Sequence, residues 1–154
     1  MAFDAFLKID GIAGESTDDT HKDWIKIESF EFETDQPYAA TVISAGGGAI
    51  GCINFDHLEV SKLVDKATPR LMEFCAHSKH AREATLEVCR AGGDKLKCLE
   101  VKMENVIIAA YRSQADGQPR DGFATEEVEL NFARVKWSYP QTGGWDLTAN
   151  KVYA

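Results

Sequence analysis

Two long alternating stretches each change face once, and they do so at the same height. In Lys97–Tyr111, Leu99, Val101 and Met103 share a face until Glu104-Asn105, where Val106, Ile108 and Ala110 take it over. In Glu126–Tyr139, Val128, Leu130 and Phe132 give way at Ala133-Arg134 to Val135, Trp137 and Tyr139. Residues paired across an antiparallel hairpin have a constant index sum. Pairing Glu104 with Arg134, or Asn105 with Ala133, gives 238 and centres the connection on Pro119, inside the polar loop RSQADGQPRDG. A hairpin whose strands flip together bends round a barrel corner or crosses from one sheet to a second.

The same signature recurs upstream. Trp24–Glu33 slips from Ile25 and Ile27 to Phe30 and Phe32, and Cys52–Val60 slips from Ile53 and Phe55 to Leu58 and Val60. Ala5–Ile9 alternates Leu7 and Ile9 against Phe6 and Lys8. Ala84–Arg90 alternates Ala84, Leu86 and Val88 against Thr85, Glu87 and Cys89, and Ala91-Gly92-Gly93-Asp94 follows as a hairpin turn. Ser61–Ala67 is expected as a turn, and the tail as a short last strand through Trp145, Leu147 and Val152. One stretch, Asp65–His80, is helical. Thr68 is the expected N-cap and Pro69 the first helical residue, with an apolar stripe of Leu71, Met72, Phe74 and Cys75. About ten residues of helix are marginal alone in water, so packing on the strands must hold them. The expected fold is mainly β: one domain over residues 1–154, a compact antiparallel β-barrel of two packed sheets. A short α-helix caps it and a long extended loop, Gln36–Gly51, leaves it.

A formal net charge of -8 argues against non-specific nucleic-acid binding and membrane-surface attachment, both of which need a basic stripe. The N-terminus lacks a basic region and a long apolar run, and no segment approaches the roughly 20 apolar residues that span a bilayer. Folding in the cytosol is expected, with any export by a route without a cleaved signal. The four cysteines, Cys52, Cys75, Cys89 and Cys98, form no C-x-x-C pair. Reduced thiols acting as small hydrophobes are the default expectation, with a disulfide framework the less favoured alternative.

Motifs for catalysis are weak. Cys75-Ala-His77-Ser-Lys-His80 offers zinc ligands, and Cys52, Cys89 and His57 are further donors, but no second cluster completes four. Histidines at a helix end with Cys75 in the core is the favoured reading. The run Ser44-Ala-Gly-Gly-Gly-Ala-Ile-Gly lacks the Lys-Ser/Thr of a phosphate loop and leads into a strand. His21 lies among Asp18, Asp19 and Asp23 in a polar loop and is expected to be solvated. No catalytic residue, metal or cofactor is assigned. Instead, strands carry apolar residues on both faces, such as Phe6 against Leu7 and Val106–Ala110; the second face is either covered within the domain or buried against another subunit, and assembly is the favoured expectation.

The opening AFLKIDGI-x-GES (Ala5–Ser16), the glycine run and DKATP-x-LM (Asp65–Met72) resemble the haemolysin-coregulated protein family, tube proteins of the bacterial type VI secretion system. So do R-x-GG (Arg90–Gly93), VELNFARV (Val128–Val135) and the closing tryptophan region, and together these motifs run through nearly the whole chain in order. The resemblance implies hexameric rings that stack into a tube inside a contractile sheath. It also implies spike, sheath and baseplate partners, and small effectors held in the lumen. By family position, Ser29, Glu31 and Glu33 face the lumen. Tyr38, Val42, Ile43, Gly46, Gly47 and Gly48 lie in the loop that reaches the next subunit or ring. With little chain after Trp145, the plain tube form is expected. The competing reading is a monomeric or dimeric ligand-binding β-barrel, or a small metal-dependent enzyme.

Overall fold

Period-two alternation becomes antiparallel strand throughout the computed structural model, which describes residues 3–35, 54–91, 98–115, 124–139, 141–149 and 151–153. In chain order the elements are β1 Phe3–Ile9, β2 Ile25–Ile27, β3 Ser29–Asp35, β4 Asn54–Leu63, α1 Thr68–Ala76 and β5 His80–Arg90. Then come β6 Cys98–Gln114, β7 Thr125–Asn131, β8 Arg134–Tyr139, β9 Gln141–Asp146 and β10 Lys151–Val152. One path of hydrogen-bonded neighbours runs β10-β9-β8-β6-β5-β1-β2, and a second leaves β6 through β7 and β4 to β3. The ladder is not closed among the described residues, but two connections turn it back on itself as two packed layers.

The first is β6. Its N-terminal part pairs β8 from Glu100↔Ser138 to Glu104↔Arg134, and its C-terminal part pairs β7 from Ile107↔Asn131 onward. Both registers sum to 238 at the corner, as the coincident slips require; a bulge between Ile108 and Ala110 then moves the register by one. At the corner Asn105 takes a left-handed φ of 54°, and the Ala133 amide donates to the Glu104 carbonyl at 3.0 Å. Asparagine tolerates that conformation better than most residues. The second connection is Glu28. Upstream of it β2 pairs β1, downstream β3 pairs β4, and its own amide donates to Ser61 O at 2.8 Å. The slip between Phe55 and Leu58 is a bulge opposite Phe32–Thr34.

Inward residues of both layers form one core: Ala5, Leu7 and Ile9, Ala84 and Leu86, Val101 and Met103 from one side, Leu58, Val60, Val128 and Leu130 from the other. Val106 and Ile108 continue the buried face of β6 past its slip, and Val135 continues that of β7. Trp137 and Tyr139 share Val135's parity but run past the core and are exposed. Trp145 and Leu147 pack against the core, whereas Val152 is exposed.

The helix packs Leu71 and Phe74 inward, while Met72 is 50% exposed and so leaves the expected stripe. Thr68 is not the N-cap: Ala67 holds that position without a side-chain cap bond. Asp65 Oδ1 accepts from the Ala67 amide at 2.9 Å, and the Thr68 hydroxyl donates instead to buried Glu126 at 3.0 Å. The same hydroxyl oxygen accepts from the Asp65 amide at 3.1 Å, so Thr68 bonds the chain before the helix and the buried carboxylate, not an amide of the first turn. Gly11 has a φ of +86°, and a Cβ there would meet the Phe74 ring at 3.2 Å, so glycine lets the chain turn against the helix.

Where a turn was expected, β4 continues through Leu63 and carries Lys62 inside. Lys62 and Glu126 are 1% and 0% exposed. Lys62 Nζ lies 2.6 Å from Glu126 Oε2, 2.8 Å from Asp65 Oδ1 and 2.9 Å from Leu63 O. The Tyr111 hydroxyl donates to Glu126 Oε1 at 2.5 Å. This network ties β4, β6, β7 and the start of α1 together. Burial, then the hydrogen bond to Glu126 and its charge, push the Tyr111 phenol up to about 12.

Candidate functional site

The outer face of the β3-β4-β7-β6 layer is acidic. Phe30 and Phe32 turn toward the core, Phe30 against Phe3 and Phe32 against Phe132, both at 6.0 Å. Alternation then leaves Ser29, Glu31 and Glu33 exposed. Register carries the row across the sheet: Glu31 pairs Glu59 and Glu59 pairs Glu129, while Ser29 pairs Ser61 and Ser61 pairs Glu127. Like charges directly opposite repel. Arg112 offsets part of this: its Nη2 lies 2.8 Å from Glu129 and 3.6 Å from Glu59, and its Nε lies 3.1 Å from Glu127. Hydrogen bonds to Glu129 and Glu127 hold its guanidinium even more firmly protonated than usual. His57 Nε2 sits 3.6 Å from Glu59 and 3.8 Å from Glu129. Among the described residues Glu31 and Glu33 have no ion-pair partner, so the unbalanced charge lies on β3.

The opposite layer has its own covered surface. The 10–24 loop folds over β1, stitched by Gly14 N to Asp23 O and Ser16 N to Trp24 O at 2.8 and 3.0 Å. A Cβ on Gly14 would lie 2.3 Å from the Trp24 carbonyl oxygen, so only glycine fits that approach. His21 is therefore not solvated, as its polar neighbours had implied, but 2% exposed. It stacks on Phe6 at 4.2 Å, with Nδ1 2.8 Å from Asp18 Oδ2 and Nε2 2.5 Å from Glu87 Oε2. Beside it, Cys89 is bonded to Cys98. These two are directly opposite in the β5–β6 register, so the reduced-thiol expectation is corrected for this pair. Cys75 remains free and packs against the core. It does not converge with His77 and His80; His77 closes the helix, and His80 Nδ1 lies 2.9 Å from Asn105 Oδ1.

The model of the family described as "Type VI secretion system effector, Hcp" matches residues 6–139. The chain belongs to the Hcp family. Hcp proteins are type VI secretion effector and tube proteins. The chain is 31% identical to "Protein hcp1" of Pseudomonas aeruginosa, over 97% of its own length and 98% of that protein's. It is similar to the crystal structure of Hcp1 from Salmonella typhimurium, at a TM-score of 0.81, 33% identity and coverage of 99% and 100%. A structure described as a type six secretion system protein matches at a TM-score of 0.87 and 26% identity, covering 99% of this chain and 100% of that one. The mainly β fold with one helix is thus that of solved Hcp structures.

Ser29, Glu31 and Glu33 stand together on the exposed face of β3. Tyr38, Val42, Ile43, Gly46, Gly47 and Gly48 lie outside the described residues. Sequence reasoning missed Glu59, Glu127, Glu129 and Arg112 beside that face, although Glu127 and Glu129 alternate with Val128 and Leu130 in plain view. Among the described residues, no helix is long and apolar enough to cross a membrane.

Proposed function

We propose that the chain is the subunit of a type VI secretion inner tube. Six copies close into a ring, rings stack, and contraction of the sheath expels the tube with small effectors in its lumen. It acts as a structural part and not as an enzyme, with itself, the spike, sheath and baseplate, and the effectors as partners. It inserts in no membrane and binds no nucleic acid. It folds in the cytoplasm and leaves without a cleaved signal. Ser29, Glu31 and Glu33 line the lumen, and the loop with Tyr38, Val42, Ile43 and Gly46–Gly48 reaches the neighbouring subunit or ring.

Beyond family membership, one observation supports self-assembly. Large apolar side chains stand exposed although the domain has a full core: Phe3 and Tyr139 at 44%, and Val152 at 72% on the terminal strand pair. Exposed groups of this size are explained when another subunit covers them. The core is filled by Leu7, Leu58, Leu86, Met103 and Leu130. These side chains occupy the space where a ligand-binding barrel would hold its ligand, which favours the tube reading.

Light scattering coupled to gel filtration tests the proposal. Six copies of a 17.0 kDa chain give about 102 kDa, with annular particles by electron microscopy. Tyr139→Lys with Val152→Lys should shift that mass toward the single chain while leaving the circular dichroism of the β fold. A single chain at every concentration of the parent protein would overturn the proposal.

A further inference from the structure

The outer face of β1 and β5 brings a nitrogen, a carboxylate and a sulfur together. The ligand atoms of His21, Glu87 and Cys89 all lie within 4.8 Å of one another, and Cys98 is joined to Cys89. The imidazole is fixed from behind by Asp18 on Nδ1, by Phe6 against its face and by Trp24 at its edge. Nε2 is thereby aimed at the cluster. A metal-binding histidine is held in this way, its far nitrogen on a carboxylate that sets tautomer and orientation.

We propose that these residues form a zinc site gated by the Cys89–Cys98 disulfide. In the reduced chain one zinc ion is bound by His21 Nε2, the Glu87 carboxylate and the thiolates of Cys89 and Cys98. All four are ordinary zinc donors, at about 2.0–2.3 Å, and four of them make the closed tetrahedron of a structural site. Ligand atoms of such a tetrahedron stand about 3.3–3.8 Å apart. The His21–Glu87 contact of 2.5 Å must therefore open by about 1 Å. Once the S–S bond is broken, the sulfurs part by side-chain rotation, because Cys89 and Cys98 are directly opposite with Cα atoms 4.2 Å apart. Closing the gate is thiol–disulfide exchange with a small-molecule disulfide, RSSR. The two protein thiolates form the Cys89–Cys98 bond, the RSSR bond breaks, and two electrons leave with two RS⁻. Zinc, stripped of both sulfurs, departs, and a proton from solvent bridges His21 and Glu87.

The test uses the full chain and cobalt(II) as the probe. After reduction with a phosphine, one cobalt per chain should bind, with a thiolate-to-cobalt charge-transfer band and the visible bands of a tetrahedral ion. Zinc should displace it, and oxidised glutathione should bleach the band and release the metal. A Cys52→Ser, Cys75→Ser background should keep the spectrum. Cys89→Ser with Cys98→Ser should abolish the charge-transfer band with unchanged circular dichroism. Asp18→Asn should weaken binding about 10–100-fold with the band intact. A reduced chain without the band, or a band that survives loss of both cysteines, overturns the proposal. The site lies within one chain, so its result is independent of whether rings form.

Discussion

Replacing Lys62 by Met isolates the contribution of a buried charge to this fold. The change keeps side-chain length and leaves Glu126, 0% exposed, without its cation. Two hydroxyls, Thr68 and Tyr111, still donate to it at 3.0 and 2.5 Å. Breaking one partner of a buried pair costs about 3–5 kcal/mol. The retained donors place the expected loss near the lower end, about 3 kcal/mol. At a urea slope of about 2 kcal/mol per molar, the unfolding midpoint falls by about 1.5 M. Adding Glu126→Gln removes the orphaned charge and keeps an acceptor for a hydroxyl. The double variant should then lie within about 1–2 kcal/mol of the parent, a residual that reflects Asp65 losing its contact with Lys62 Nζ. With Glu126→Gln alone costing about 1 kcal/mol, because Asp65 still faces Lys62, the double-mutant cycle carries a coupling of about 2 kcal/mol. Urea curves at one fixed chain concentration measure it, since assembly adds stability by mass action. A loss below about 1 kcal/mol for Lys62→Met, or losses that simply add, would refute this account of the pair.

The Tyr111 phenol is pushed up to about 12, above its unfolded value, so the fold favours its neutral form. Its contribution to stability is complete below about pH 10 and is lost as pH rises toward 12; urea midpoints at pH 9 and 11 should differ less in Tyr111→Phe than in the parent. Gly14→Ala forces a Cβ to within 2.3 Å of a backbone oxygen, so the 10–24 loop must shift, at a cost of about 2 kcal/mol or more, read by thermal unfolding and by faster proteolysis of that loop. Glu31→Lys reverses charge at a carboxylate with no ion-pair partner among the described residues; in the proposed ring it should weaken, in a salt-dependent way, the retention of a basic effector, and unchanged retention would reject a role for β3 in cargo contact.

Much of the layer order was legible because alternation reports which face is buried. The paired slips at Glu104-Asn105 and Ala133-Arg134 fixed a register, and Glu104 does pair Arg134. The acidic face followed from the inward turn of Phe30 and Phe32. Two of the missed features depend on residues far apart in the chain. His21 and Glu87 are 66 positions apart, and Lys62 and Glu126 are 64. Local composition made His21 a loop residue and Lys62 a turn residue, because a polar side chain carries no local sign of a buried partner. Thr68 lies one residue inside the cap, its hydroxyl accepting from the Asp65 amide and donating to Glu126. Cys89 and Cys98 flank a hairpin, but alternation alone does not say that two cysteines meet at the same rung.

Hydrophobic burial has no direction, so a core of Leu, Val and Met fixes how much surface is hidden better than it fixes angles between layers. In this chain polar contacts stand at the points where angles are set. Glu28 N on Ser61 O holds the bend between β2 and β3. Asn105, in a left-handed conformation and beside His80 Nδ1, holds the bend in β6, with Ala133 N on Glu104 O across from it. The Lys62–Glu126 network holds the helix to the two strands beneath it. A ring closes only if every subunit presents its two contact faces at one angle, since a few degrees repeated around the circle open it into a spiral. Directional bonds at the corners and a buried ion pair under the helix supply the rigidity that closure of the proposed ring demands of a small β domain.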